Sequence, residues 1–331
     1  MIKIGVDAVG GDLFPEAQIK GALLALEEDS GIEITLFGPE ETVRPHIENL
    51  SHYASGHLKY VHSPQIVGMD ESASSAVKTK PHSSITIGLS QQKEGKSDAF
   101  VSAGNTGALL AASMLILGKL EGVSRPTIGA VYPTLSGFRL LVDAGANLEL
   151  RPDHYIQFAR MGVIYTREMM GIEKPKVGLL NVGEEAEKGT EDMREAYKAL
   201  SASNFFVGNI EGRDIFPAKA DVFLCDGLIG NLLLKFGESI PDAIAVMIVK
   251  KMKEKQMSAE AQQEFISLLK ESLQAFNYEH VGGVPFLGVN GVSMVGHGGS
   301  SALAMKNMIL NAAKYVRLDL NKKIVDSLQK S

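Results

Sequence analysis

Seven polar side chains stand where a short apolar run gives way to a glycine-containing turn. They are Asp7, Ser102, Asp143, Asn181, Asn209, Asp226 and His297. Each is at the predicted carboxyl end of a strand, and in a parallel sheet such ends share one edge, where ligands bind. Asn, Asp and Gly also make good turns without any ligand. Because binding residues concentrate on loops carried by a rigid sheet, the set of seven nevertheless favours a single site.

The segment Ser-Ala-Gly-Asn-Thr-Gly at 102–107 is typical of an anion site. It opens a predicted helix, so its backbone N–H groups and the helix dipole favour negative charge. Gly104 and Asn105 belong to this turn, and Thr106 adds a hydroxyl donor. We expect a small anion such as phosphate here, with Lys188 and Lys80 as charge donors.

Nucleotide and metal sites are disfavoured by the motifs. The turn at 183–190 ends Lys-Gly-Thr, not Gly-Lys-Thr, which argues against a P-loop. No G-x-G-x-x-G follows the first predicted strand, so a dinucleotide cofactor is not expected. The eight histidines show no metal-ligand spacing, and C-x-x-C and H-E-x-x-H are absent from the sequence. We therefore predict neither a metal nor a cofactor.

Two further side chains have competing interpretations. Cys225 stands before Asp-Gly and could be a nucleophile, but cysteine is more often buried and inert, which we favour. His297 lies among glycines that allow close approach of a substrate. It suits a general acid/base or oxyanion donor, and it equally suits a turn histidine bonded within its own loop.

Short apolar runs alternate with longer helical patterns along the chain. Strands are predicted at 2–6, 33–37, 58–61, 99–102, 138–142, 176–180 and 221–225. Helices are predicted at 15–27, 107–117, 152–170, 191–200 and 300–316. This order predicts an α/β fold with a mainly parallel sheet and helices on both faces. Without a linker or an internal repeat, we treat 1–331 as a single unit.

Residues 238–276 interrupt the alternation with the pattern helix, short turn, helix. Each helix carries one apolar stripe of period near 3.6, and a lysine-rich cluster at 250–255 lies between the stripes. The simpler interpretation is a helical hairpin packed on its own core or on a second subunit. The alternative is contact with an anionic membrane surface.

Composition narrows the classes of partner and compartment. The 331 residues carry a net charge of −6, so the broad positive field needed for nucleic-acid binding is not expected. A single cysteine excludes an internal disulfide and predicts the reducing cytoplasm. No apolar run reaches the roughly 18 residues that span a bilayer. The first residues are typical of a strand and not of a signal peptide.

The motifs together resemble those of the bacterial acyl-acyl carrier protein:phosphate acyltransferases of phospholipid synthesis. The strings include Val-Asp-Ala-Val-Gly-Gly-Asp at 6–12, Asp-Ala-Gly-Ala-Asn at 143–147 and Asp-Gly-Leu-Ile-Gly-Asn at 226–231. Further matching segments are 69–71 with Lys78 and Lys80, 102–108, 125–126, 157–162, 178–184 with Lys188 and Gly189, 209–214 and 297–298. The resemblance runs from residue 2 to about 316. Val9, Leu228 and Val284 depart from it by apolar exchanges, which could reshape an acyl pocket.

The resemblance implies a three-layer α/β/α fold of the isopropylmalate dehydrogenase and phosphate acetyltransferase type. It implies transfer of a long-chain acyl group from acyl carrier protein to inorganic phosphate, without a metal or cofactor. It also implies a homodimer, a protruding hairpin near the dimer interface, and peripheral association with the cell membrane. The product would pass to the downstream glycerol-3-phosphate acyltransferase.

We assign roles on this basis as hypotheses. Phosphate binding goes to Gly104, Asn105, Thr106, Lys188 and Lys80, and oxyanion stabilisation or proton transfer to His297, Asn181 and Asn231. Asp143, Glu184 and Asp226 are expected to orient these groups, since an unpaired carboxylate would repel phosphate. Two alternatives stay open: a phosphate acetyltransferase-like enzyme using short acyl-CoA, and a non-catalytic peripheral membrane scaffold.

Overall fold

The computed structural model describes residues 1–273, 279 and 281–329. Within these ranges one sheet runs through the molecule and helices cover both of its faces. The strands are β1 (Ile2–Asp7), β2 (Ile32–Gly38), β3 (Leu58–His62), β4 (Ala99–Ser102), β5 (Thr127–Thr134), β6 (Gly137–Val142), β7 (Val177–Leu180), β8 (Phe206–Ile210), β9 (Val222–Leu224), β10 (Val284–Leu287) and β11 (Val292–Val295). The helices are α1 (Glu16–Glu28), α2 (Glu40–Ile47), α3 (Ser51–Ala54), α4 (Ala73–Thr79), α5 (Ser84–Lys93), α6 (Thr106–Ile116), α7 (Pro152–Met170), α8 (Glu191–Leu200), α9 (Gly227–Glu254), α10 (Ala259–Leu273), α11 (Ala302–Arg317) and α12 (Leu320–Gln329).

The sheet consists of two parallel blocks that run in opposite directions. Its strand order is β3-β2-β1-β4-β11-β10-β5-β6-β9-β7-β8. β10 pairs antiparallel with both β11 and β5, and β5 pairs antiparallel with β6, whereas every other pair is parallel. The prediction of a mainly parallel sheet is therefore confirmed.

The same pairing shows that the prediction of one shared edge is wrong. β1, β4 and β11 end at Asp7, Ser102 and the loop of His297, on one edge of the sheet. β6, β7, β8 and β9 run the other way, so their carboxyl ends face the opposite edge. The physical reason is the reversal at β10 and β5, two strands that the sequence pattern did not reveal.

Two apolar cores lie on the two faces of the sheet. Along β4, Ala99 and Val101 belong to one core and Phe100 to the other. Along β6, Leu140 is in the first core and Leu141 in the second. Successive side chains of a strand point to opposite faces, so each strand supplies both cores. This explains why the strand runs are continuously apolar.

The predicted hairpin is present and longer than expected. α9 begins at Gly227 and not at 238, and α10 follows a turn in which Gln256 has a φ of 50°. Residues 274–276 of the predicted hairpin lie outside the described residues. None of the helices in the described ranges combines the length and apolar character that crossing a bilayer requires.

Candidate active site

A cleft of about 390 Å³ lies between three walls of the molecule. Loops after β1, β4 and β11 form its rim, β5 forms its floor, and the first half of α9 forms the facing wall. From the rim come Asp12, Gly104, Thr106, His297 and Gly298. The volume is within the roughly 300–1,000 Å³ typical of sites for small molecules.

A buried carboxylate joins two loops of the rim. Ser102 Oγ donates to Asp7 Oδ2 at 2.6 Å and accepts the Gly104 N–H at 3.0 Å. Asp7 Oδ1 also accepts the Val9 N–H at 3.2 Å. Burial raises the pKa of Asp7, while Ser102 and the other donors act in the opposite direction. The β1 and β4 loops are thus held together beneath the cleft surface.

The β11 loop is attached to the same arrangement. The Gly296 N–H donates to the Ser102 carbonyl at 2.9 Å, and the Asp12 N–H donates to the Gly298 carbonyl at 2.7 Å. The Gly299 N–H donates to His297 Nδ1 at 3.1 Å. Because Nδ1 accepts that bond, Nε2 is the donor nitrogen of the neutral His297 ring.

α6 presents its amino-terminal end to the cleft. Asn105 caps the helix, since its Oδ1 accepts the Ala108 N–H at 3.0 Å. Asn105 Nδ2 contacts the carbonyl oxygens of residues 68, 69 and 71 at 2.9–3.2 Å. The side chain therefore ties the preceding loop to α6, while exposed Thr106 begins the helix on the cleft side.

Lys80 is occupied away from the cleft. Its Nζ donates to the Ile66 carbonyl at 2.7 Å and forms an ion pair with Glu71. The hydrogen bond from Lys80 holds the pKa of Glu71 below its usual value. Lys80 is not among the described residues that line the cleft.

Asp143 organises the loop after β6. Its carboxylate accepts the N–H groups of Ile128, Gly145, Ala146 and Asn147 at 2.8–3.3 Å. Burial raises the pKa of Asp143 above its usual value, although these donors stabilise the charged form. The carboxylate faces backbone, and the neighbouring Ala144 is the residue that lines the cleft.

Asp226 and Gly230 seat α9 against that loop. Asp226 caps α9 by accepting the Ile229 N–H at 2.9 Å. A Cβ on Gly230 would lie 1.7 Å from the Asp143 carbonyl oxygen, so only glycine permits this contact. One residue further on, Asn231 lines the cleft, as do Leu234, Lys235 and Glu238.

Residues 181–190 lie apart from the cleft. Asn181 Nδ2 donates to the Lys188 carbonyl at 3.1 Å, and Glu184 pairs with Lys219 at 2.6 Å. None of the three predicted residues is among the described residues that line the cleft. β7, which leads into this loop, is six strand positions from β4, roughly 29 Å at the usual spacing. Within this chain the structure therefore does not bring Asn181, Glu184 or Lys188 to Thr106 and His297.

Several lining residues were not among the sequence-predicted candidates. Asp12 was present in the matched motif but was not selected. Tyr132 and Phe138 extend the floor from β5 and β6, and Lys235 pairs with Glu238 at 3.0 Å on the wall. Burial raises the pKa of Tyr132, so its hydroxyl stays protonated. Lys235 and Glu238 could have been identified from their spacing of four and seven residues from Asn231, which places all three on one face of a helix.

Cys225 lies in the core, as expected. It is 2% exposed, and burial raises the pKa of its thiol well above the usual value. A thiol held in its neutral form is a poor nucleophile. Among the residues the structure describes, no group of three or more His, Cys, Asp or Glu is placed to hold a metal ion.

The arrangement combines an anion-attracting end with an apolar surface. The start of α6, the Thr106 hydroxyl and the His297 ring supply hydrogen-bond donors at one side. Ile128, Ala130 and Tyr132 follow at alternate positions of β5 and give an apolar floor. Such a cleft can hold an anion beside a carbonyl group that carries an apolar chain.

Solved structures that are similar in fold include proteins named as a phosphotransacetylase and a branched-chain phosphotransacylase. A phosphotransacetylase from Streptococcus pyogenes aligns with a TM-score of 0.60 at 17% identity, covering 96% of this chain and 94% of that one. A branched-chain phosphotransacylase from Enterococcus faecalis aligns with a TM-score of 0.59 at 15% identity, covering 96% and 99%. They confirm the predicted three-layer α/β/α fold.

Sequence comparison identifies the family. A phosphate acyltransferase from Salinibacter ruber is 43% identical over 313 residues, covering 94% of this chain and 93% of the relative. One from Chlorobaculum tepidum is 44% identical over 333 residues, covering 97% and 100%. The family model described as fatty acid synthesis protein matches residues 2–323. The chain therefore belongs to this family of phosphate acyltransferases, as its motifs predicted, and is an acyltransferase.

Proposed function

We propose that the protein transfers a long-chain fatty acyl group from the thioester of acyl carrier protein to inorganic phosphate. The products are acyl phosphate and the free thiol of the carrier. The observation that carries this proposal is the cleft itself, in which the amino-terminal end of α6 and His297 adjoin the apolar floor of β5. The hydrogen-bond donors of α6 and His297 suit phosphate, and the apolar floor of β5 suits the fatty acyl chain of the thioester.

Phosphate binds at the start of α6, where the helix N–H groups and the Thr106 hydroxyl donate to its oxygens. One phosphate oxygen attacks the thioester carbonyl carbon and forms the new C–O bond. Phosphate is already nucleophilic at neutral pH, so the main task of the site is positioning, which supplies effective molarities of roughly 10⁵ M or more.

The tetrahedral intermediate carries an oxyanion that needs donors. His297 Nε2 and the Asn231 side-chain amide, which line opposite sides of the cleft, take this role. The oxyanion then re-forms the carbonyl, the C–S bond breaks and its electron pair leaves on sulfur. The thiolate takes the proton that the attacking hydrogen phosphate gives up and becomes the free thiol. Asp143 and Asp226 hold the β6 loop and α9 in place for this step.

The carrier-protein contact is assigned to the end of α9. Acyl carrier proteins are acidic in general, and Lys250, Lys251, Lys253 and Lys255 form a basic cluster there. Arg139 is a weaker candidate because it pairs with Asp221 at 2.9 Å and is largely buried. Arg151 is exposed, although it lies 3.6 Å from Asp153. Reversing the four lysine charges should remove the salt sensitivity of the carrier-protein KM.

Peripheral membrane association and dimerisation are assigned to α9 and α10. Val246 and Met247 on α9 and Leu268 on α10 are 59–70% exposed. Val246 and Met247 precede the lysine cluster on α9 by less than two turns. Exposed apolar and basic groups side by side suit an anionic lipid surface. There the product would reach the downstream glycerol-3-phosphate acyltransferase, and the enzyme would remain a cytoplasmic homodimer.

Thiol release tests the proposal directly. Purified protein is mixed with palmitoyl-carrier protein, and free thiol is measured with and without inorganic phosphate. Phosphate-dependent release is expected, and its absence contradicts the proposal. His297→Ala should lower kcat by about 10²-fold or more. The matched control His46→Ala alters an exposed histidine of α2 and should leave kcat unchanged.

A short-chain phosphate acetyltransferase is the second candidate, because the similar folds belong to proteins with phosphotransacetylase names. Comparing acetyl-CoA with palmitoyl-carrier protein separates the two functions. The apolar floor favours the long chain. A non-catalytic scaffold does not fit a chain that belongs to an acyltransferase family.

A further inference from the structure

The floor and the helical wall of the cleft meet where Tyr132 contacts Gly237. Both residues line the cleft. A Cβ built on Gly237 would lie 2.6 Å from Tyr132 Oη, 2.9 Å from Cζ and 3.0 Å from Cε2. These distances are below any normal van der Waals separation, so a larger residue at 237 must displace the phenol ring.

The Tyr132 ring is also held by other neighbours. It is 3% exposed, and its hydroxyl reaches the carbonyl oxygen of Leu233 on α9 at 3.5 Å. Its centroid is 6.4 Å from that of Phe216. The ring is therefore fixed in one position at the border of the cleft.

Glycine in the middle of a helix needs a local reason. It is less favourable there than alanine because the backbone loses more freedom on folding. Gly237 lies well inside α9, and the close approach of Tyr132 is a contact that glycine alone allows. Glycine makes this position of α9 less stable, and it allows the helix to lie this close to β5.

We propose that the contact between Tyr132 and Gly237 sets the acyl chain preference of the cleft. This inference rests on the proposed function. β5 is two strands from β11, so Tyr132 lies roughly 10 Å across the sheet from the strand that leads to the His297 loop. An acyl chain whose carbonyl is at His297 reaches the passage between β5 and α9 along its length. The phenol ring fixes the width of that passage, and apolar Phe138 and Leu234 surround it.

Substitutions of Tyr132 and of Gly237 should shift the acyl chain preference in opposite directions. The measurement is the ratio of kcat/KM for stearoyl- over lauroyl-carrier protein. Tyr132→Leu widens the passage and should raise the ratio by about tenfold or more. Tenfold is about the smallest change in kcat/KM discrimination that one methylene produces in an apolar pocket. Gly237→Ala pushes the ring into the passage and should lower the ratio.

A double variant tests whether the two residues act through each other. Leucine has no atoms where the phenol ring meets position 237, so Gly237→Ala should add nothing in the Tyr132→Leu background. Additive effects would overturn the inference. Tyr197→Leu is the matched control, because that tyrosine packs on Phe206 outside the cleft and should leave the ratio unchanged.

The remaining outcomes are also decisive. An active wild type with the same ratio in all Tyr132 and Gly237 variants overturns this inference and leaves the proposed function standing. An inactive wild type overturns the proposed function and this inference with it. Tyr132→Phe removes the atom nearest to Gly237 and serves if the leucine variant does not fold. It should raise the ratio by a smaller factor, with an unchanged phosphate KM.

Discussion

Ser102 is the residue on which three loops of the cleft converge. Its hydroxyl joins Asp7 to the Gly104 N–H, and its carbonyl accepts the Gly296 N–H. Ser102→Ala leaves the buried Asp7 carboxylate without its 2.6 Å donor, which should destabilise the fold by about 2 kcal/mol. The loosened rim should raise the phosphate KM by roughly tenfold, or about 1.4 kcal/mol.

Ser113→Ala is the control for that prediction. Ser113 is equally buried and bonds Ser293 Oγ at 2.9 Å, but it does not line the cleft. It should lose stability without a change in the phosphate KM. Urea unfolding and initial-rate kinetics on both variants measure the two effects. Equal changes in KM would show that Ser102 has no special role in the rim.

Asp143 gives the stability a defined pH dependence. Burial raises its folded-state pKa above the unfolded value, so the carboxyl group stabilises the fold most at low pH, where it is protonated in both states. That contribution is lost as pH rises through the raised pKa. The free energy of unfolding of wild type minus that of Asp143→Asn should therefore fall with rising pH. Urea unfolding of both proteins at a series of pH values measures this difference, and a difference that grows with pH contradicts the assignment.

Asp226 fixes the start of the helix that forms one wall of the site. Replacing an N-cap aspartate by alanine costs about 1 kcal/mol. Asp226→Ala should lose that stability. It should also lower kcat, because Asn231, which lines the cleft, stands at the start of the second turn of α9. Thr190→Ala removes the N-cap of α8 at the opposite side of the sheet and is the matched control. It should lose similar stability with kcat unchanged, and a parallel fall in kcat would show a general effect of stability.

The elements that the sequence predicted well carry strong local signals. α7 was predicted with both ends correct, and it has proline at its first position and glycine after its last. α8 was also correct, and its N-cap is Thr190. β5 contains Pro133, and β10 and β11 are four-residue strands among glycines, so none of the three has a local pattern that marks it.

Missing β5 and β10 also explains why the sequence-predicted site residues do not all line the cleft. The antiparallel pairing of these strands is a long-range contact, and nothing in the local pattern records strand direction. Gly104, Thr106, Asn231 and His297 do come together at one cleft. The 181–190 loop was grouped with them on the assumption of one direction throughout the sheet. It follows β7, which lies further from β5 than β6 and β9, the strands that lead to Ala144 and Asn231 of the cleft.

At the scale of the whole molecule, α9 presents one face to the cleft and a second, apolar face to the surface. Asn231, Leu234 and Glu238 face the cleft. Leu228, Leu232 and Phe236 are spaced four residues apart and are 61–64% exposed, so they form an apolar stripe on another side of the helix. Monomeric proteins seldom leave such a stripe uncovered, and a second copy of the chain is the proposed partner.

Leu232→Glu should therefore dissociate the proposed homodimer. The carboxylate would be buried without a partner at the interface, which costs several kcal/mol and shifts the equilibrium to monomer. Sedimentation equilibrium measures the mass of each variant. The control is Leu115→Glu, which changes an exposed leucine of α6 and should leave the mass unchanged. Leu232 is next to Asn231 of the cleft on α9, so loss of the interface should disturb the site. When the wild-type protein is diluted until its mass falls, thiol release per chain should therefore fall with it. A variant that remains dimeric, or a monomeric wild type, would show that this stripe is not the interface.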